Sequence, residues 1–238
     1  MIKLENYEVM GWEHVIRGMR NPLNSWHLSD SKYCTERESE CANCGYGKEN
    51  SLPCPLGNPV VIGSKDYDLM KRLVKAGTDH SKFMRMITVY VDITAPLYWW
   101  KEFDTYKIGT VANSCSTMHK IHEKEFTLDD FSHEHLFDST KNEGLNDMEY
   151  YENSTTVLNY VICVLNHYRS KFIETKNKIY WYQMIQLLPS SYNQKRTIQL
   201  NYAVLRAMYH ARVTHKLDEW RVFCNWIASL PYSELITM

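Results

Sequence analysis

The chain has 238 residues, 44% of them apolar, enough to bury most of its surface as a single domain spanning 1–238. Its 27 Lys and Arg stand against 28 Asp and Glu, so there is no basic field to gather duplex nucleic acid and a small-molecule partner is expected. The opening "MIKLENYEVMGW" has no long apolar run, and the richest such run, "VLNYVICVLNHY", is broken by Asn and too short to span a bilayer; a soluble, cytoplasmic protein without a membrane partner is expected.

In chain order, "IKLENYEV" alternates with period two and predicts a strand, followed by a helix around Trp12 to Met19. The chain then becomes loop-rich as far as Gly63, with most of its prolines. "DYDLMKRLVKAG" predicts an amphipathic helix ending at Gly77, and "MRMITVYVDITAP" a buried strand stopped by Pro96. The aromatic run Tyr98, Trp99, Trp100 and Phe103 has helical spacing and reads as helix core. Helix is predicted over Asp129 to Phe137 and over Asn153 to Leu187, the latter with Val157, Tyr160, Val161, Val164 and Leu165 on one face. The segment from Lys195 to Pro231 offers a short strand and two helices. The fold class is therefore α+β.

Seven cysteines, an odd number with Cys115, Cys163 and Cys224 isolated, fit reduced thiols better than a disulfide framework. The other four, Cys34, Cys41, Cys44 and Cys54, form a Cys-rich loop insertion over 34–57. A C-x2-C knuckle supplies two thiolates from one turn, and a tetrahedral zinc needs two more, which the flanking cysteines provide. The competing reading is a surface loop with incidental thiols. His119 and His122 stand three apart, which places them on one helix face, and His133 and His135 follow; they read either as a metal pair or as solvated surface residues.

The stretch "WWKEFDTYKIGTVANSCSTMHKIH" carries more polar chemistry than a core helix needs. It reads as a ligand-facing wall or as a polar helix with caps.

The segment "LLPSSYNQKRTIQLNYAVLRAMYHARVTHKLDEW" resembles the carboxy-terminal signature of the flavin-dependent thymidylate synthases: Leu188-Pro189, then Asn201 starting a helix, then Arg212 eleven residues on and His215 soon after. The upstream "TVYVDITAPLYWWKEFDTYK" is similar to the strand-to-helix lead of that family's flavin motif. The likeness runs from Gly63 to Pro231, and the cysteine insert has no counterpart in it. It implies that family's α+β fold, a sheet flanked by long helices, and a homotetramer in which FAD, deoxyuridine monophosphate (dUMP) and a folate stack in a cleft shared between subunits. It implies that Lys107, Asn201, His215, His80 and Ser81 contact the flavin, and that Arg212, Glu102, Asn113 and Ser116 face the nucleotide. In such an enzyme the flavin takes a hydride from NADPH and the carbon comes from methylenetetrahydrofolate, methylating the pyrimidine.

The departures bear on catalysis. Counting from Ala95-Pro96, the family's Arg-His-Arg becomes Thr105, Tyr106 and Lys107, and two further family arginines become Ile185 and Ala203. Guanidinium groups are the donors best matched to phosphate, so their loss weakens phosphate capture. Two functions stay open: a flavin-dependent pyrimidine nucleotide methyltransferase, or a pocket on the same scaffold that binds a nucleotide without turnover. A zinc-dependent interaction module would rest on the cysteine loop alone. For Arg212, a salt bridge to Asp218 or Glu219 competes with a phosphate role.

Overall fold

The alternating pattern of "TVYVDITAP" becomes the central strand β4, Thr88–Pro96, in which Val89, Val91, Ile93 and Ala95 are all fully buried. Period-two alternation sends these four to one face, where each Val or Ile contributes about 1.5–3 kcal/mol by burial. The computed structural model describes residues 1–33, 60–138 and 153–238. Among them a four-stranded sheet has the order β1-β4-β6-β5, with β1 at Lys3–Met10, β5 at Val111–Ser114 and β6 at Asn193–Asn201. β4 and β6 run antiparallel: the Leu97 N–H donates to the Tyr192 carbonyl at one end and the Tyr202 N–H to the Ile87 carbonyl at the other. The edge strands are mostly exposed; β1 buries Val9 alone and β5 buries nothing.

The chain divides into two compact units. The larger comprises Leu4–Ile93, Tyr106–Asn113 and Thr197–Met238. It holds α1 (Trp12–Arg20), α2 (Ser64–Lys75), α7 (Tyr202–Arg212), α8 (Asp218–Ser229) and the short α9 (Glu234–Thr237), with α7 packed on α8, α9 and a 3-10 turn at Lys82–Met86. A short antiparallel pair, β2 (Lys32–Tyr33) and β3 (Val60–Val61), brings Tyr33 opposite Val60, so the residues on either side of 34–59 are neighbours. The cysteine insertion and its four candidate zinc ligands lie outside the described residues.

A buried ion pair fastens this unit's loop-rich part. Arg20, at the end of α1, donates from Nε to Asp66 Oδ1 at 2.6 Å, and its other nitrogens reach the carbonyls of Ser25 and Leu28. Ser29 and Ser31 donate their hydroxyls to Asp66 Oδ2, each at 2.6 Å. Asp30 beside them accepts the Lys65 and Asp66 N–H groups and so caps α2.

The smaller unit comprises Met1–Lys3, Thr94–Thr105 and Ser114–Arg196. Here α3, Leu97–Phe103, buries Trp99, Trp100 and Phe103 against one another, as their helical spacing predicts. The region predicted helical from Asn153 is two helices, α5 (Ser154–Thr175) and α6 (Lys178–Leu187), split where Lys176 turns left-handed at φ 55° and Asn177 caps the second. The buried face of α5 overlaps the predicted one at Val161 and Leu165 but is rotated from it. Leu158, Ile162 and Leu165 pack on Ile121, Phe126, Phe131 and Met184, while Val157 and Tyr160 are exposed. The rotation is set by Asn166, whose amide both accepts the Phe126 N–H and donates to the Phe126 carbonyl, pinning one side of α5 to that loop.

Two further helical predictions fail for local reasons. Over 129–137 the chain makes only a 3-10 turn, Leu128–Asp130, closed by a Thr127–Asp130 capping box, after which Phe131 bridges to Tyr192. The polar stretch after α3 is no continuous helix either: it forms a turn, strand β5 and the four-residue α4, Thr117–Lys120, so His122 falls in a turn against Phe172 and shares no helix face with His119. Among the described residues no three His, Cys, Asp or Glu side chains gather as metal ligands, and no helix is long and apolar enough to cross a membrane.

Candidate functional site

In the larger unit, β6 runs directly into α7 through Asn201. Its backbone is extended, φ −138°, and its side-chain oxygen accepts the Val204 N–H at 3.1 Å, the geometry of an N-cap. Arg212 ends the same helix, eleven residues and three turns later, so the two side chains share a side of α7 but stand about 16 Å apart along its axis. They do not meet. A cation in the last helical turn is favoured by the helix dipole.

The turn Tyr106–Thr110 lies along α7 between them. Thr110 Oγ1 donates to the Tyr106 carbonyl, and Gly109 adopts φ +81°. A side chain at Gly109 would stand 2.9 Å from Val204 Cγ2 and 3.0 Å from Asn201 Nδ2, so the turn meets the start of α7 closely. At the other end Arg212 Nε donates to the Tyr106 hydroxyl at 3.1 Å. The guanidinium carbon lies 4.8 Å from the Trp220 ring and 5.7 Å from the Tyr106 ring, so the cation is set beside both aromatic groups. Trp220 is fully buried at the start of α8 and holds that platform in place.

His215 follows α7. Its Nδ1 accepts the Leu217 N–H at 3.2 Å, which leaves the ring proton on Nε2, and the ring meets Trp220 edge-on. Beneath lies Cys224 of α8, whose thiol is pushed up to about 11 by burial, with the nearby Arg212 charge opposing the rise. The thiol therefore stays protonated at neutral pH.

The other predicted site residues have these places. Lys107 is exposed on the same turn, next to Tyr106, and Asn113 is exposed on β5. His80 and Ser81 stand after α2, where both N–H groups donate to the Gly77 carbonyl, and Ser81 opens the 3-10 turn on which α7 packs. Glu102 and Ser116 belong to the smaller unit: the Glu102 carbonyl accepts the Thr105 hydroxyl, and exposed Ser116 caps α4 by accepting the His119 N–H. Asp218 and Glu219, the predicted alternative partners of Arg212, open α8; Asp218 pairs with Arg221 one turn along it, and Glu219 is buried.

Sequence reasoning missed Tyr106 and Trp220 as the groups around Arg212. In the sequence Tyr106 reads only as the replacement of the family motif's central His, and Trp220 only as part of a helix. The available signal is an aromatic residue in place of that His, ahead of a Gly turn.

No protein-family model matches this chain, and no curated protein matches it. Its structure is similar to that of thymidylate synthase X from Helicobacter pylori, solved with FAD and dUMP, with TM-score 0.60 and 15% identity over 99% of this chain and 95% of that one. A second flavin-dependent thymidylate synthase structure from the same organism, also with FAD and dUMP, gives TM-score 0.58 and 14% identity over 99% and 97%. The UMP/dUMP methylase PolB from Streptomyces cacaoi, bound with 5-Br UMP, gives 0.55 and 12% over 100% and 93%. At these identities the likeness is one of fold.

Proposed function

We propose that this chain binds a pyrimidine nucleotide on the fold of the flavin-dependent thymidylate synthases, with Arg212 and Lys107 taking the phosphate and FAD as the companion ligand. The observation that carries the reading is the Arg212 guanidinium, oriented by the Tyr106 hydroxyl and the Trp220 ring at the end of α7. Arg212, Lys107 and the His215 Nε2–H are donors of the kind phosphate oxygens accept, and they belong to one unit. The solved proteins with this fold that hold FAD, dUMP or 5-Br UMP support the same choice of ligands. FAD, where bound, supplies hydride transfer; Asn201, His215, His80, Ser81 and Lys107 would hold it, while Asn113 would face the nucleotide. We propose further that the chain works as a homo-oligomer, and that Cys34, Cys41, Cys44 and Cys54 hold a structural zinc.

Thr105, Ile185 and Ala203 in place of family arginines favour a second reading on the same ligands: binding without methyl transfer, since one guanidinium and one ammonium replace a fuller set. The test is the visible spectrum of purified protein, followed by titration with FAD and with dUMP. A flavin band together with dUMP binding supports the enzyme reading. Colourless protein that binds dUMP and leaves flavin fluorescence unchanged favours the non-catalytic pocket, and no binding of either ligand overturns both.

A further inference from the structure

The phosphate role of Arg212 stands or falls with the reading above; the position of its guanidinium is a separate matter that the turn decides. An arginine on a helix end carries several rotatable bonds, and ordering them on binding costs affinity. Here the ordering is built in. Tyr106 receives the Nε–H at 3.1 Å, the Trp220 and Tyr106 rings lie 6.2 Å apart at 62°, and the guanidinium sits against both. Tyr106 itself is held at its base, where its carbonyl takes the Thr110 hydroxyl, and by Gly109, which seats the turn on Asn201 and Val204. Neither tie depends on a ligand.

We infer that Tyr106 is a positioning residue: its hydroxyl holds the Arg212 guanidinium in the orientation that receives a nucleotide phosphate. The fully buried Trp220 lies 4.8 Å from the guanidinium carbon, and the Tyr106 hydroxyl takes the Nε–H. Fewer arginines of the family's pattern are kept here, but the Arg212 guanidinium is preorganised. This inference rests on the phosphate reading.

The experiment is calorimetric titration of the full chain, wild type, Tyr106→Phe and Arg212→Ala, with dUMP and with deoxyuridine, which lacks the phosphate. Tyr106→Phe keeps the ring and removes the acceptor. It is expected to weaken dUMP roughly tenfold, as loss of one hydrogen bond to a charged group does, to leave deoxyuridine affinity unchanged, and to leave the melting temperature within a few degrees. Arg212→Ala is expected to weaken dUMP more. Wild-type dUMP affinity in Tyr106→Phe alongside loss in Arg212→Ala overturns the positioning role and spares the phosphate reading. Equal loss for dUMP and deoxyuridine in Tyr106→Phe also overturns it, because the residue then acts on the nucleoside or on the fold. An unaffected Arg212→Ala, or a wild type that ignores dUMP, overturns the phosphate reading and this inference with it.

Discussion

Replacing Gly109 with Ala should cost about 2–5 kcal/mol of folding stability, from two separate strains. The backbone at Gly109 has φ +81°, where an L side chain costs roughly 1–2 kcal/mol. The new methyl would then stand 2.9 Å from Val204 Cγ2 and 3.0 Å from Asn201 Nδ2. Val204 is β-branched in the first turn of α7 and holds one rotamer, so it yields poorly. The Asn201 amide is committed by its cap bond, itself worth about 1 kcal/mol. Overpacking of this kind adds roughly 1–3 kcal/mol. Urea denaturation of wild type, Gly109→Ala, Asn201→Ala and the double variant measures it. Removing the Asn201 amide relieves part of the clash, so the double variant should lose less than the two single losses together, with a coupling of about 1 kcal/mol. A Gly109→Ala protein within about 0.5 kcal/mol of wild type, the range of a neutral surface change, would show that the turn does not rest on α7.

Other outcomes test other parts of the chain. Asp66→Asn strands the buried Arg20 charge and should cost about 3–5 kcal/mol in the same denaturation assay. Burial acts to raise the Asp66 carboxyl, but bonds from Ser29, Ser31 and Arg20 outweigh it and hold the group below its ordinary value; its contribution is therefore complete above the unfolded value of about 3.9 and lost as pH falls toward the lower folded one, so wild-type urea midpoints should drop in acid while those of Asp66→Asn respond less. Arg206 donates to the carbonyls of Leu235, Ile236 and Met238, and Arg206→Met should lower stability by about 1–2 kcal/mol by thermal melting, with no change if those contacts are incidental. Metal analysis should return about one zinc per chain, reduced by Cys44→Ser and by acidic pH because thiolates must stay deprotonated; a Cys44→Ser protein with unchanged metal removes the ligand set. Light scattering should give a multiple of the single-chain mass, and a single-chain value would remove the shared-cleft part of the proposal.

Legibility followed the range of the interaction. β4 and α7 were readable because period-two alternation and an Asn cap followed by an apolar helix are local codes, and each survives into the structure at Val89, Val91 and Ile93 and at Asn201. The face of α5 was not, because its periodicity offers two overlapping apolar stripes and the choice between them is made by Asn166 gripping Phe126, forty residues away in sequence. The Arg20–Asp66 pair spans forty-six residues across a loop-rich stretch and leaves no periodic trace. The candidate site divides in the same way. Asn201 and Arg212 declare themselves through spacing on one helix, whereas Tyr106 reaches Arg212 across 106 positions and only the turn built on Gly109 brings it there. Counting residues against a family motif asks which charges are kept, and at Tyr106 that question gives an incomplete answer, since the ring that replaces the motif's His becomes the partner of Arg212. A site can lose donors and gain rigidity in one substitution, and affinity depends on both, because each orientation fixed before binding is entropy the ligand does not have to remove.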